Sequence, residues 1–125
     1  GSADLPGDAI PKMEALIRDQ LQGFIDDRFE ISVVGHTDDV PLGARTAARY
    51  GDNRGLSTER ANTVLRMFEG MGVNPRQISA QGYGPHKPKA ANDTLEGRGL
   101  NRRIEILVKY KVFSVTDWGE EVPGP

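Results

Sequence analysis

Residues 31–61 read ISVVGHTDDV, then a polar insertion, then DNRGLSTERA. The first residues predict a short apolar strand that stops at Gly35 and is followed directly by a polar cluster containing Asp38. Ser57 is the predicted N-cap of a helix, with Arg60 in the first turn. Strand ends and helix starts are where α/β folds place ligands, because side chains and backbone N–H groups converge there. Asp38 at the strand end and Arg60 at the helix start put an acid and a base at opposite edges of this region, which predicts a site for a zwitterionic ligand.

Composition limits the classes of function that need to be considered. The chain has 125 residues, enough for a single domain, and its formal net charge of −2 argues against nucleic acid as a partner. It contains no cysteine, which excludes disulfides and thiolate metal sites. No run approaches the roughly 20 apolar residues of a membrane span. Neither a cofactor nor a bound metal is expected.

The hydrophobic pattern predicts two helices and three strands. Apolar residues at helical spacing predict one amphipathic helix over residues 8–24, and a second over residues 57–68 that ends at a pair of glycines. Strands are predicted over residues 30–35 and 77–81, and strict alternation predicts one long strand over residues 104–112. This order of elements is that of an α+β two-layer sandwich.

The remaining segments are predicted to be irregular or exposed. A strand near residues 1–5 would extend the sheet. The domain is expected to cover residues 1–113. The other segments are a long loop over residues 39–55 with a helical turn at 45–49, a rigid loop over residues 82–88, and an exposed tail over residues 114–125.

Four blocks in fixed order carry a resemblance to a known family. They are GHTDD at 35–39, N-x-x-LSxxRA at 53–61, GYG at 82–84 and EGRGLNRRIEI at 96–106. Together they resemble the OmpA-like peptidoglycan-binding domain, and HTDDVPL is similar to the branch of the flagellar stator B-subunit. The resemblance implies a βαβαβ-type fold with a mixed sheet packed by two main helices. It also implies a periplasmic location and a membrane anchor upstream of this sequence.

The same resemblance implies an activity and a set of binding residues. The family binds the stem peptide of peptidoglycan noncovalently, typically at meso-diaminopimelate. Asp38 matches its ligand-binding aspartate and Arg60 its ligand-binding arginine, while the interval between them is longer than is usual in the porin branch. Other positions matched to the pocket or its flank are Thr37, Asn53, Leu56, Asn101 and either Arg102 or Arg103, of which Arg103 is taken as the candidate.

Several alternatives remain open from the residues alone. Asp38 and Arg60 could form an internal ion pair, or Asp38 could cap a local turn. His36 is expected to be hydrogen-bonded rather than a metal ligand, and Ser57 lacks a base partner that would make it a nucleophile. A peptidoglycan hydrolase would need paired carboxylates, and a protein-interaction domain whose pocket has drifted is a further alternative. The chain could also form a homodimer, as stator-type relatives do.

Overall fold

A computed structural model describes residues 9–21, 29–108 and 111–118. Within these residues the chain forms a four-stranded sheet in the order β2-β1-β3-β4. Strand β1 is central and pairs in parallel with β2 and antiparallel with β3, which in turn pairs antiparallel with β4. The strands are β1 (Ile31–His36), β2 (Ile78–Gly84), β3 (Arg103–Val108) and β4 (Lys111–Val115).

Four α-helices accompany this sheet in the described ranges. They are α1 (Ala9–Leu16), α2 (Ala44–Tyr50), α3 (Asn53–Gly70) and α4 (Leu95–Asn101). A π-helical turn, Ile17–Leu21, continues α1, and a short 3-10 turn, Pro75–Gln77, leads into β2. The predicted α+β two-layer fold is confirmed. The helical turn expected within residues 39–55 is present as α2.

The hydrophobic core lies between the helices and one face of the sheet. Ile31 and Val33 of β1 pair with Val108 and Ile106 of β3, so these side chains share that face. Buried residues of α1, of the π-helical turn and of α3 belong to the same cluster, among them Met13, Ile17, Ala61, Val64 and Phe68. Ile10, one of the apolar residues whose spacing predicted the first amphipathic helix, is 40% exposed rather than buried. Phe24 and residues 1–5 lie outside the described residues.

Helix α3 begins earlier than predicted. Asp52 is its N-cap, because its side chain accepts a hydrogen bond from the Gly55 N–H at 2.9 Å. The prediction of Ser57 as the N-cap is wrong: Ser57 is fully buried within the helix. Its hydroxyl donates to the Arg54 carbonyl and accepts from the Gly84 N–H, both at 2.9 Å. Ser57 therefore ties α3 to the end of β2.

Two strand predictions are wrong in extent. Strand β2 continues through Gly82 and Tyr83 to Gly84, although this segment was expected to be a loop that could not continue a strand. The long strand predicted over residues 104–112 is two antiparallel strands, with Val108 paired to Lys111.

The predicted exposed tail is wrong for its first residues. Ser114 and Val115 belong to β4, and Val115 is buried. Trp118 is 2% exposed and joins the hydrophobic core. Burying an indole removes a large apolar area from water, so this segment is part of the packed domain. The domain boundary therefore lies beyond residue 113, and residues 119–125 are outside the described part.

Candidate functional site

Asp38 lies directly after the C-terminal end of β1, where the chain leaves the sheet. The residue is 5% exposed, and both of its carboxylate oxygens accept hydrogen bonds. Oδ1 accepts from the Val40 N–H at 3.1 Å, and Oδ2 accepts from Arg102 Nη1 at 2.9 Å. The turn cap that the sequence left open as an alternative is therefore present, and Asp38 forms an internal ion pair with Arg102. A carboxylate this well buried needs such partners, because leaving the charge unpaired would be costly.

Several residues that the family motif predicted to lie near Asp38 hold the loop of Asp38 in place. The Thr37 N–H donates to the Gly84 carbonyl at 2.9 Å, and its hydroxyl donates to the Asp38 carbonyl at 2.8 Å. Asn53 Nδ2 donates to the Val40 carbonyl at 3.0 Å, linking the start of α3 to the same loop. Leu56 is buried one turn further along α3. These contacts fix the path of residues 37–40 between β2 and α3.

Arg60 lies one helical turn after Leu56. Its Nη1 donates to the backbone carbonyl of Trp118 at 3.3 Å. The Trp118 N–H in turn donates to the Arg102 carbonyl at 2.8 Å. The structure thus joins Asp38, Arg102 and Arg60 through the segment that follows β4, which the sequence alone did not place in the site.

Arg102, rather than the predicted Arg103, is the arginine of its block that contacts Asp38. It stands between α4 and β3, with its side chain 11% exposed, and contacts the Asp38 carboxylate. Its neighbour Arg103, chosen from the sequence, is instead the first residue of β3. Because consecutive residues of a strand point to opposite faces, the strand start decides which arginine reaches Asp38. A signal for that start was present in the alternation from Ile104 onward.

Asn101 and Arg103 support a neighbouring loop. Asn101 Oδ1 accepts from the N–H groups of Lys89 and Ala90 at 2.7 and 3.0 Å, and its Nδ2 donates to the Ala90 carbonyl. Arg103 Nη2 donates to the Lys87 carbonyl at 2.9 Å, and its Nε contacts Glu105. Both side chains direct their polar atoms to the protein itself. Ligand binding by Asn101 and Arg103 stays a prediction, and Arg102 is the arginine of this block that contacts Asp38.

A polar cluster lies on the face of the sheet that points away from the hydrophobic core. His36 is 4% exposed, contacts Glu105 through Nε2 at 3.2 Å and stacks on Tyr83 with ring centroids 5.6 Å apart. Burial lowers the pKa of His36, and the positive charge of Arg103 lowers it further. Burial alone would raise the pKa of Glu105, but its hydrogen bond and charge interaction with Arg103 outweigh this and lower it. His36 is therefore a hydrogen-bonded histidine, as predicted.

Helix α2 adds a groove to the domain. The groove is about 500 Å³ in volume and lies between α2 and the first turns of α3. Neither Asp38 nor Arg60 lines it. Its lining residues are Arg49, Tyr50, Arg54, Gly55, Thr58 and Glu59.

The described ranges contain neither a cluster of three metal-ligating side chains nor a helix that could span a membrane. No three histidine, aspartate or glutamate side chains there come together as ligands for a metal ion. None of the helices in these ranges is long and apolar enough to cross a membrane.

Fold and site together define a class: an α+β domain with a nearly buried carboxylate, paired with an arginine, at the end of its central strand. Comparison with known proteins gives the family. The OmpA family profile matches residues 1–102, and the chain belongs to the OmpA family. The predicted recognition as an OmpA/MotB-type peptidoglycan-binding domain is therefore confirmed.

Motility proteins are among the similar sequences and structures. Motility protein B of Helicobacter pylori is 42% identical over 96 residues, which cover 72% of this chain and 36% of that protein. The crystal structure of the C-terminal domain of Helicobacter pylori MotB superposes with a TM-score of 0.70 at 32% identity, covering 88% of this chain and 78% of that one.

A wall anchor from another system has the same fold. The cell wall anchor of the T6SS from Pseudomonas aeruginosa superposes with a TM-score of 0.68 at 30% identity, covering 84% of this chain and 68% of that one. Solved structures of the periplasmic domain of Helicobacter pylori MotB are also similar, and the predicted periplasmic location of the domain is confirmed. These relatives are motility and wall-anchor proteins rather than enzymes.

Proposed function

We propose that this domain binds the stem peptide of peptidoglycan noncovalently, at a pocket formed by Asp38 and Arg60. The observation that carries the proposal is the buried Asp38 carboxylate at the end of β1, joined through Arg102 and the Trp118 backbone to Arg60. A buried carboxylate that contacts one guanidinium and is linked to a second through the Trp118 backbone offers an acceptor for a cation and donors for an anion. Such a pair suits a ligand that carries both charges at one end.

Diaminopimelate has this chemistry at its side-chain end, which carries an ammonium and a carboxylate. The ammonium donates to Asp38, and the planar guanidinium of Arg60 matches the carboxylate. Charge-assisted hydrogen bonds contribute about 1.5–3 kcal/mol each, so a single site gives modest affinity. Many stem peptides on one wall raise the effective affinity through avidity. Binding of this kind requires no catalytic step.

The proposed role of the parent protein is to anchor a membrane-associated assembly, such as an ion-driven stator, to the cell wall. Similarity to motility protein B and to a T6SS cell wall anchor supports this role. The chain spans 36% of the length of the motility protein it matches, so we also propose that a membrane anchor lies upstream. A homodimer stays a prediction.

Co-sedimentation with intact sacculi tests the proposal. We expect the domain to pellet with sacculi, Arg60→Ala to stay in the supernatant, and no muropeptide to be released. Arg66→Ala is the matched control, because Arg66 is an exposed arginine of the same helix. Asp38→Asn is preferable to alanine, since it preserves the shape of a side chain that caps the turn at Val40.

Other results of this assay identify the alternatives. Released muropeptides would indicate a hydrolase. A wild-type domain that stays soluble would indicate a protein-interaction domain with a drifted pocket. Pelleting of Arg60→Ala with wild-type efficiency would place the binding surface elsewhere.

A further inference from the structure

Arg102 lies between two carboxylates. Its Nη1 donates to Asp38 at 2.9 Å and its Nη2 donates to Asp117 at 3.1 Å. One guanidinium thus bridges the loop after β1 and the segment after β4. The bridge brings a second carboxylate to the rim of the proposed pocket.

The two carboxylates differ in their exposure to water. The Asp38 side chain is 8% exposed and that of Arg102 is 11% exposed, whereas the Asp117 side chain is 69% exposed. A buried ion pair is costly to break because it leaves uncompensated charge, while an exposed pair contributes little. The Asp117 contact is therefore the one that an incoming anion can replace at small cost.

The backbone holds Asp117 at this place even though its carboxylate faces solvent. The Asp117 N–H donates to the Gly99 carbonyl at 2.9 Å, and the next residue, Trp118, is anchored in the core. Asp117 has a φ of 57°, a left-handed conformation that aspartate and asparagine tolerate better than most residues. The backbone thus keeps the Asp117 carboxylate close to Arg102, where its effective concentration is high. The family profile ends at residue 102, so the match does not include this feature.

We propose that Arg102 is a second carboxylate-binding arginine of the pocket and that Asp117 is an internal competitor that occupies it in the unliganded domain. The inference rests on the proposed function, since the ligand carboxylate is taken to be that of the stem peptide. On binding, this carboxylate replaces Asp117 at Nη2, while Asp38 keeps its contact with Nη1. Asp117 thereby lowers the affinity for any ligand whose carboxylate reaches Arg102.

The decisive variant is Asp117→Asn, which removes the negative charge and keeps a residue that tolerates the left-handed backbone. An exposed ion pair is weak, so we expect an affinity gain of about threefold to fivefold for a diaminopimelate-containing stem peptide. The gain is absent when the diaminopimelate carboxylate is amidated. Glu14→Gln, which removes one exposed carboxylate from α1, leaves the affinity unchanged. Equal or weaker binding by Asp117→Asn would overturn the inference, because loss of a merely structural contact lowers affinity.

A second probe separates this inference from the proposed function. Sodium acetate is titrated into the wild-type domain and Asp117→Asn, and the guanidinium signals of Arg102 are followed by NMR. The inference predicts that these signals respond at a severalfold lower acetate concentration in Asp117→Asn. If no variant binds the stem peptide, the proposed function fails, and this titration alone decides the inference. Identical acetate responses in the two proteins would overturn it.

Discussion

At the scale of single residues, the pair of His36 and Glu105 makes stability depend on pH. The folded-state pKa of His36 lies below its ordinary value of 6.5, so the unfolded chain takes up this proton more readily. The contribution of neutral His36 to the free energy of unfolding is therefore complete above pH 6.5 and is lost as the pH falls below that value. The pKa of Glu105 is lowered from 4.5, so its contribution is lost on acidification below that value. Both groups therefore destabilise the fold in acid.

The His36 contribution can be measured by urea unfolding between pH 7.5 and 5. We expect the wild-type free energy of unfolding to fall below pH 6.5, with a slope of at most about 1.4 kcal/mol per pH unit from this one group. His36→Gln keeps a donor for Glu105 without titrating, so its slope in this range should be smaller. His86→Gln, at the exposed second histidine, is the control. An unchanged slope in His36→Gln would contradict the assignment.

Sequence reasoning predicted Asp38 and Arg60 as site residues because each lies in a short motif with fixed neighbours. It took Arg103 rather than Arg102 as the candidate, since two consecutive arginines differ only in which face of the chain they occupy. That choice depends on where β3 begins. The sequence did not indicate a role for Asp117, because a single exposed aspartate near an acidic, proline-containing end is compatible with many roles.

At the scale of elements, the close approach of α3 to the sheet requires glycine in both parallel strands. A Cβ added at Gly35 would lie 2.2 Å from the Ser57 carbonyl oxygen, and one at Gly82 would lie 2.4 Å from the Thr58 nitrogen. Backbone atoms of a packed helix cannot yield by this amount without moving the helix. These two glycines therefore let the start of α3 lie against the strand ends that bear the site.

We expect Gly35→Ala to lower the free energy of unfolding by about 1–3 kcal/mol, the usual cost of overpacking. Gly70→Ala is the matched control. A Cβ at Gly70, the last residue of the same helix, meets no atom within 4 Å. Alanine there should be neutral or slightly stabilising. Equal stability of Gly35→Ala and the wild type in urea unfolding would refute the packing of α3 on β1.

The elements that sequence reasoning misplaced lack local signals. Alternation runs without interruption from Ile104 to Val112, and the two residues between β3 and β4 are Lys109 and Tyr110 rather than the Asn-Gly or Asp-Gly pairs of tight hairpins. One long strand was therefore the simpler prediction. The central strand and the core of α3 were predictable because their apolar periodicity is strong.

At the scale of the whole molecule, Trp118 makes the segment after β4 part of the core. Its indole is 2% exposed, and its backbone carbonyl accepts the hydrogen bond from Arg60. The segment thus stabilises the fold and orients a proposed binding residue. The composition of residues 114–125, which includes proline and acidic residues, predicted an exposed tail. Only the tertiary packing shows that Trp118 is buried.

Trp118→Ala should lower the free energy of unfolding by about 3–5 kcal/mol, as expected when a buried aromatic is truncated. Val112→Ala is the control on β4, since Val112 is 57% exposed and its truncation should change stability by less than about 0.5 kcal/mol. Thermal and urea unfolding of both variants would measure the difference. Similar stabilities for the two would show that Trp118 is not a core residue.

The central claim is that this domain binds a diaminopimelate-containing stem peptide at Asp38 and Arg60. The most direct test is an NMR titration of the wild type, Arg60→Ala and the control Arg66→Ala with that peptide. We predict chemical-shift changes that cluster around Asp38, Arg60 and Arg102 in the wild type and Arg66→Ala, and that are lost in Arg60→Ala. Shifts that persist unchanged in Arg60→Ala, or a wild type that shows none at millimolar peptide, would contradict the claim.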